Sequence, residues 1–204
     1  MRRSTPVTYV QPYRYPSPNI PLSAIRRFAR RIAVEEDGTM TVDMVIDSAI
    51  YGLWRFGMYP PDEPRIAETM SAIKEQLANK AAAGGIARYR DDYYFKVESD
   101  TNKVPGNPWF ICTLWMAQWF VATAKTAHDL GPAREIINWV VAHQLEGGLL
   151  SEQLDPNTGA PLSVSPLTWS AAELIATVDE FCRKSERVRR SALSTVPPVP
   201  AKPT

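Results

Sequence analysis

Two long polar stretches of the sequence carry residue types from which a binding or hydrolytic site can be built. One of them, GGLLSEQLDPNTGAPLSVSPLTWS (147–170), contains a carboxylate, Glu152, that no turn pattern explains. Asp155 in the same stretch belongs to DPNTG, which is ordinary turn chemistry. A lone glutamate in a loop is most often a solvated surface residue, and a positioned one serves in acid–base chemistry. The pattern by itself leaves both interpretations of Glu152 open.

The other stretch, GGIARYRDDYYFKVESDTNKVPGNPWF (84–110), combines Arg88 with two acids and a group of aromatic residues. The aromatic residues are Tyr89, Tyr93, Tyr94, Phe95 and Trp109. The apolar C–H faces of a pyranose stack on aromatic rings, and its hydroxyl groups need charged or bidentate partners such as Arg and Asp. The alternative is structural: the rings anchor the loop, and Arg88 pairs with Asp91 or Asp92. Composition alone favours this structural alternative.

Apolar periodicity predicts about six helices and little β structure. Three of them carry a single apolar stripe and should face water on one side, whereas the other three are apolar on most sides and should be enclosed. The one-sided helices are predicted at 21–33, 64–79 and 133–146, and the enclosed helices, which alternate with them, at 43–56, 108–124 and 167–182. We predict Asn107 as the N-cap of the second enclosed helix. A two-layer helical barrel, with an inner ring of helices inside an outer ring, would produce this order.

The predicted connections differ in length according to their direction. Those from inner to outer helices, near 57–63 and 125–131, are short, whereas those from outer to inner helices, 80–107 and 147–167, are long. Loops of that length in a compact domain are usually functional or disordered. Both long loops lie where the inner helices begin. Because helix N-termini carry partial positive charge and unpaired N–H groups, this position favours an ionised Glu152.

Charge and composition exclude several classes of partner. The 204 residues contain 23 Lys and Arg against 22 Asp and Glu, so the field that draws a protein to nucleic acid or to an anionic membrane is missing. The longest apolar stretch, 109–124, is shorter than the roughly 20 residues that a membrane-spanning helix needs. His128 and His143 lack Cys or carboxylate partners at ligand spacing, so no metal site is expected. We expect a neutral ligand, with no cofactor, no nucleic acid and no membrane.

The composition along the chain predicts one central domain with two irregular ends. Residues 1–20 are rich in Pro and Tyr and are expected to be poorly ordered, and 187–204 are expected to form a disordered, Pro-rich basic tail. The helical domain is expected at 21–186. Cys112 and Cys182 fall in apolar helical stretches, so no disulfide is expected. The first residues lack the apolar core of a secretory signal, so the expected location is cytoplasmic.

Four motifs in this order and spacing closely resemble the C-terminal half of the catalytic domain of glycoside hydrolase family 15. They are GGIARY, GNPWFICTLW, LLSEQLDPNTGAPLS and LTWSAAELI, and the resemblance extends over about residues 20–185. The family comprises glucoamylases, glucodextranases and bacterial trehalases. The resemblance implies a twelve-helix (α/α)6 barrel, of which six helices would form about half, and an inverting, exo-acting α-glucoside hydrolase. The implied substrate is an α-glucan, a maltooligosaccharide or trehalose.

The resemblance also implies roles for particular residues. Glu152, in SEQ, matches the general base that activates water, and Arg88, in ARY, matches the arginine that hydrogen-bonds the glucosyl unit. Tyr93 and Trp109 match aromatic residues that line the subsites. Trp169, in LTW, matches a supporting position.

One part of the implied chemistry has no match in this sequence. Inverting hydrolysis uses two carboxyl groups about 6.5–9.5 Å apart, one as acid and one as base. The acid of the family lies in its N-terminal half, so the expected partner of this chain is the missing N-terminal half of the barrel. Glu35, Glu36, Asp43 and Asp47 are the next acids to consider, although turn and helix-start roles suit them better. Two alternatives remain open, an α,α-trehalase of the same family and a non-catalytic sugar-binding remnant.

Overall fold

The computed structural model describes residues 26–34 and 36–194, and α-helices are the main regular secondary structure among them. The helices are α1 (Gly52–Arg55), α2 (Pro64–Leu77), α3 (Phe110–Thr123), α4 (Gly131–Ala142) and α5 (Thr168–Ser194). Short 3-10 helices lie at Ser48–Tyr51, His128–Leu130 and Glu146–Gly148. Two small antiparallel hairpins pair β1 (Arg31–Val34) with β2 (Met40–Asp43) and β3 (Gln153–Leu154) with β4 (Pro161–Leu162). Within the described residues, none of the helices is long and apolar enough to cross a membrane.

Helix α2 is a one-sided helix, as its sequence predicts. The Glu63 carboxylate accepts hydrogen bonds from the N–H groups of Arg65 (2.9 Å) and Ile66 (3.0 Å), and Pro64 occupies the first turn. These are favourable features of a helix start. The predicted apolar stripe is buried along its whole length, at Ile66, Met70, Ile73 and Leu77. The prediction of a helix at 64–79 is therefore confirmed, with its end two residues earlier.

Helix α3 is the most enclosed helix among the described residues, and ten of its fourteen residues are buried. It lies against α2, α4 and α5. The predicted N-cap is wrong, because Trp109 and not Asn107 precedes the first helical residue. The Asn107 side chain instead donates to the backbone oxygen of Phe95 (2.7 Å) and to Oε1 of Gln153 (2.9 Å). Asn107 therefore ties the two long loops together.

The arginine-rich segment that was predicted as helix 21–33 has no helix in its described part. Residues Arg31–Val34 form β1, paired with β2 in the register Arg31↔Asp43 and Val34↔Met40. The reason lies in the turn, where Asp37 accepts a hydrogen bond from Thr39 N (2.8 Å) and Gly38 has a φ of +81°. Asp-Gly between β-branched residues is a hairpin signal that outweighs the helical periodicity here. Residues 21–25 lie outside the described residues.

The helix predicted at 43–56 is much shorter. Asp43 belongs to β2, and Asp47 has an extended backbone (φ −138°) at the start of the 3-10 helix. The Asp47 carboxylate accepts a hydrogen bond from Ala49 N (2.8 Å), so it caps this 3-10 helix. The regular helix α1 then begins only at Gly52. The predicted enclosure is only partial, because Ile50 and Trp54 are buried but Phe56 is 83% exposed. The polar residues of this segment initiate a turn and not a regular helix.

The last two helices differ from their predicted limits in opposite directions. Helix α4 ends at Ala142, four residues before the predicted end at 146. Helix α5 continues to Ser194, so 187–194 are helical and the prediction of a disordered tail from 187 is wrong for that part. Val188 explains the extension, because it packs against the cluster of Ala117, Val121 and their neighbours. Residues 1–20 and 195–204, which carry the remaining predictions of disorder, lie outside the described residues.

Candidate functional site

The two long loops meet at the N-terminal end of α3. Trp109 and Gln153 form an isolated antiparallel bridge, and Leu154 N donates to Pro108 O (3.0 Å). Leu167 N donates to Leu150 O (2.8 Å), which brings the second loop to the start of α5. The predicted convergence of both loops where the inner helices begin is therefore confirmed.

Glu152 lies at this junction, immediately before β3. Its backbone oxygen accepts a hydrogen bond from Phe110 N (3.3 Å), the first residue of α3, and its own N–H donates to Val164 O (2.8 Å). Its half-buried side chain accepts a hydrogen bond from the hydroxyl of Ser163. Ser163 has a φ of +62°, a left-handed conformation that is uncommon for a residue with a side chain. The β3–β4 hairpin therefore holds a hydroxyl donor against the carboxylate.

Arg88 lies in a cluster of aromatic rings and is paired with an acid. Its Nε and Nη2 donate to the two carboxylate oxygens of Asp92 (2.8 and 2.7 Å), and the Asp92 side chain is only 1% exposed. The guanidinium carbon lies 4.5 Å from the ring centroid of Trp109, 4.9 Å from that of Tyr89 and 5.6 Å from that of Tyr94. Burial alone would lower the pKa of Arg88, but the hydrogen bonds and charge of Asp92 raise it above its ordinary value. The cation is therefore permanent and fixed in direction.

The backbone around Arg88 is held on both sides. Ser48 N donates to Arg88 O (2.8 Å), and the Ser48 hydroxyl donates to Ala87 O (2.8 Å). On the other side, Trp109 N donates to Ile86 O (3.0 Å). The segment that carries Arg88 is thus fixed between the first 3-10 helix and the start of α3.

Tyr94, which sequence reasoning did not select, belongs to the ring cluster, whereas Tyr93 is 79% exposed. The Tyr94 ring lies 5.9 Å from Trp109, and its hydroxyl lies 3.4 Å from the Ser163 hydroxyl. Two adjacent tyrosines are alike in the sequence. The local backbone, with Asp91 at a φ of +63°, decides which ring packs against the cluster.

Asp92 and Ser163 were also not selected as site residues by sequence reasoning. Asp92 had a signal, since an acid four residues after Arg88 was an expected ion-pair partner. Ser163 had none, because it reaches Glu152 only through the register of the β3–β4 hairpin. The ion pair that the structural alternative predicts for Arg88 is present, with Asp92 as the partner. Asp91 pairs with Lys96 instead (2.6 Å).

Trp169 lies in the first turn of α5, and 51% of it is exposed. The hydroxyl of the next residue, Ser170, donates to Ser151 O (2.8 Å), which ties this turn to the loop that carries Glu152. The indole N–H of Trp169 donates to Oε1 of Glu173 (3.0 Å). The aromatic ring therefore lies on an open face close to the junction.

The other acids that the sequence offered have structural partners or open positions. Glu36 lies exposed in the β1–β2 turn, and Asp43 accepts from Arg30 Nε (2.9 Å). Asp47 caps the 3-10 helix, and burial raises its pKa above the ordinary value, against the opposing effect of its capping hydrogen bond. Glu35 lies outside the described residues. Within the described part of the chain, no group of three or more His, Cys, Asp and Glu side chains is arranged to hold a metal ion.

A continuous series of contacts leads from the cation to the carboxylate. Arg88 lies over Tyr94, the Tyr94 hydroxyl approaches Ser163, and Ser163 donates to Glu152. Such a site offers N–H and O–H donors, aromatic surface and one carboxylate to a polar ligand with apolar faces. The carboxylate is suited to accepting a proton.

Comparison with known sequences places the chain among carbohydrate-cleaving proteins. A sequence model of the family described as glycosyl hydrolases family 15 matches residues 36–131 and 131–179. An uncharacterised glycosyl hydrolase of Methanocaldococcus jannaschii is 33% identical over 149 residues, which are 68% of this chain and 22% of that protein. A glucoamylase of Clostridium sp. is 30% identical over 136 residues, which are 64% of this chain and 18% of that protein. The chain therefore spans about a fifth of the length of these curated relatives.

Solved structures show the same fold. A bacterial glucoamylase complexed with acarbose superposes with a TM-score of 0.59 at 23% identity, over 76% of this chain and 23% of that chain. A variant glycosidase superposes with a TM-score of 0.56 at 20% identity, over 71% of this chain and 38% of that chain. The prediction of an all-α fold that forms part of an (α/α)6 barrel is therefore confirmed, with two short hairpins added.

Proposed function

The chain belongs to glycosyl hydrolases family 15, and from this premise we propose that it is the base-carrying part of an inverting, exo-acting α-glucoside hydrolase of the glucoamylase type. The observation that carries the proposal is the series of contacts from Arg88 through Tyr94 and Ser163 to Glu152. It sets a fixed cation and a carboxylate at the same loop junction, beside the start of an inner helix. A glucosyl unit has the polar edge and the apolar face that these groups complement.

Arg88 and the surrounding rings have separate roles in this proposal. Asp92 engages Nε and Nη2 of Arg88, so Nη1 is the nitrogen that donates to a glucosyl hydroxyl. Trp109 is almost fully buried and its ring is covered by the guanidinium, so it acts on the sugar through Arg88. Tyr94 and Tyr93 contribute aromatic surface at the edge of the site.

Glu152 is the general base in the proposed reaction. It accepts a proton from a water molecule as the water oxygen bonds to the anomeric carbon, and the bond from that carbon to the leaving oxygen breaks. A carboxylic acid protonates the leaving oxygen, so charge and atoms balance. The Ser163 hydroxyl orients the carboxylate by donating to one of its oxygens. Attack opposite to the leaving group releases β-glucose from an α-glucoside.

The acid in this proposal lies outside the described residues. Asp43 and Asp47 are engaged in an ion pair and in a cap, and Glu36 lies exposed in the β1–β2 turn. We therefore assign the acid to the N-terminal half of the family's barrel. Residues 26–194 would then supply the base and part of the sugar-binding surface.

The proposed substrate is an α-glucan or a maltooligosaccharide. Support comes from the glucoamylase of Clostridium sp. and from the bacterial glucoamylase complexed with acarbose. Trehalose is the second candidate, because it also presents an α-linked glucose. In a protein that contains the acid, proton NMR of the first-formed sugar should show β-glucose, whereas α-glucose appearing first would remove Glu152 from the base role.

A titration with maltose tests whether this chain forms a sugar site. We expect weak binding that Arg88→Ala reduces at least about tenfold, since a charge-assisted hydrogen bond contributes about 1.5–3 kcal/mol. Arg90→Ala is the matched control, because Arg90 belongs to the same loop but donates to exposed Asn102 (2.9 Å). An equal loss in both variants would contradict a specific role for Arg88. A titration with trehalose in parallel compares the two substrates.

A further inference from the structure

A series of hydrogen-bonded polar side chains connects the first 3-10 helix, through α3, to the first turns of α5. The Tyr51 hydroxyl donates to Gln118 Oε1 (2.7 Å). Gln118 Nε2 donates to Glu173 Oε2 (2.7 Å) and to Thr177 Oγ1 (3.0 Å). Glu173 Oε1 accepts the indole N–H of Trp169 (3.0 Å). Tyr51, Gln118 and Thr177 are buried, and Trp169 is the exposed end of this hydrogen-bonded series.

The direction of each hydrogen bond follows from the groups themselves. An indole N–H only donates, so Oε1 of Glu173 accepts. The Thr177 hydroxyl donates to the backbone oxygen of Glu173 (2.7 Å), so it accepts from Gln118. The amide nitrogen of Gln118 therefore faces Glu173, whose two oxygens each receive one N–H. A carboxylate satisfies both donors, whereas a glutamine at this position offers only one acceptor oxygen.

The ring of Trp169 has further support from buried aromatic residues. It lies 5.9 Å from the ring of Trp115, which stacks on Tyr51 at 4.7 Å with an angle of 7° between the planes. Tyr51 is thus connected to Trp169 by two routes, through rings and through hydrogen bonds. A half-exposed side chain normally samples several rotamers, and here both routes restrain it.

We propose that Glu173 is a positioning residue, which fixes the exposed indole of Trp169 to the buried Tyr51–Gln118 pair and so holds the ring at the start of α5, where the loop of Glu152 joins that helix. The Ser170 hydroxyl, which donates to Ser151 O, fixes the same turn of α5 to the loop that carries Glu152. A ring that is already fixed loses less conformational entropy when the apolar face of a sugar packs on it. The sugar part of this inference rests on the proposed function, while the fixing of the ring does not.

The test is the hydrogen exchange of the Trp169 indole N–H, measured by NMR on the 204-residue chain labelled at tryptophan. The chain has six tryptophans, and Trp169→Phe identifies the signal that belongs to Trp169. In the wild type, we expect protection of this N–H even though the side chain is 51% exposed. In Glu173→Gln, we expect exchange faster by roughly tenfold or more, because a hydrogen bond to a charged acceptor is lost.

The matched control is Glu186→Gln, an exposed glutamate on the same helix, paired with Arg190 (3.6 Å). It should leave the Trp169 signal unchanged. The other five indole signals report whether each variant remains folded. An unprotected Trp169 N–H in the wild type, or an unchanged exchange rate in a folded Glu173→Gln variant, would overturn the proposal. Even if Glu173→Gln does not fold, the wild-type exchange rate shows whether the Trp169 indole N–H is protected.

A maltose titration on the same samples separates this inference from the proposed function. Weaker binding in both Glu173→Gln and Trp169→Phe, with unchanged binding in Glu186→Gln, supports the link between ring position and sugar. Weaker binding in Trp169→Phe alone would overturn that link. If maltose shifts no indole signal in the wild type, the sugar site is contradicted, and the exchange rates still decide whether Glu173 fixes the ring.

Discussion

Helices α3 and α5 start at the same loop junction, yet their surroundings differ. Helix α3 lies between α2, α4 and α5, and ten of its fourteen residues are buried. Helix α5 contacts α3 and α4, and it leaves Trp169, Ile175 and Val178 exposed. Enclosure of an inner helix therefore depends on neighbours on both sides. Within the described residues, α5 is an inner helix with neighbours on one side.

The polar side chains of α3 and α5 also differ in their surroundings. In α3, Gln118 is fully buried and all its side-chain hydrogen bonds reach other elements. In α5, Glu173, Thr177 and Glu180 form a polar row that faces α3 and α1. The packed side of α5 therefore combines this polar row with apolar contacts of Leu174 and Phe181, while Ile175 and Val178 remain exposed. Exposed apolar residues on the other side are what an uncovered neighbouring surface in a barrel would produce.

The largest predicted difference between the helices concerns stability. Leu114→Ala in α3 should lower the free energy of unfolding by about 3 kcal/mol, since it removes a fully buried side chain and leaves a cavity. Ile175→Ala in α5 should change it by no more than about 0.5 kcal/mol, because Ile175 is 71% exposed. Urea denaturation of both variants measures the difference. Equal losses would show that Ile175 is covered in solution.

A smaller effect is expected at the ion pair that joins α1 to α5. Arg55 Nη1 lies 2.6 Å from Glu180 Oε1, and both side chains are about one third exposed. Glu180→Gln should therefore lower the free energy of unfolding by at most about 1 kcal/mol, and less at high salt. Asp179→Asn is the control, because its pair with Arg183 is exposed and lies within one helix. A loss from Asp179→Asn as large as that from Glu180→Gln would mean that the link between α1 and α5 adds nothing.

Ile175→Lys should change the free energy of unfolding least among these variants. It should clearly change the association of the chain. The exposed apolar side chains of α5 should cause the chain to associate, as large apolar patches do. A lysine at the exposed position should reduce association and leave unfolding unchanged within about 0.5 kcal/mol. Size-exclusion chromatography with light scattering measures this. A wild-type chain that is a monodisperse monomer at all concentrations would contradict the uncovered-face interpretation.

The sequence predicted those parts of the fold in which burial follows a regular period. Helices α2 and α3 were found because their apolar patterns extend over three or more turns. The β1–β2 hairpin was missed because arginines at 26–31 suit a helical face as well as a strand, and only the Asp-Gly turn separates the two. The extension of α5 beyond 187 was missed because Val188 packs on residues distant in the sequence, which the local pattern does not show.

The candidate site was predictable from motifs and not from contacts. Glu152 and Arg88 stand in short sequences that resemble those of a known family, and the structure brings their two loops together. Ser163 reaches Glu152 from eleven residues away through a hairpin register, which no local pattern specifies. The choice of Tyr94 over Tyr93 depends on backbone angles in the loop. Such long-range or conformational determinants appear only in three dimensions.

Glucose release by the purified 204-residue chain tests whether residues 26–194 supply the proposed base but not the acid of a glucosidase. With maltose, soluble starch and trehalose, we expect no measurable glucose. General acid catalysis alone contributes about 10²- to 10⁴-fold, and the loss of groups that orient the sugar reduces the rate further. Glu152→Gln should then be indistinguishable from the wild type. Robust glucose release that disappears in Glu152→Gln would contradict the assignment of the acid to the other half of the barrel, because it would place a working acid within this chain.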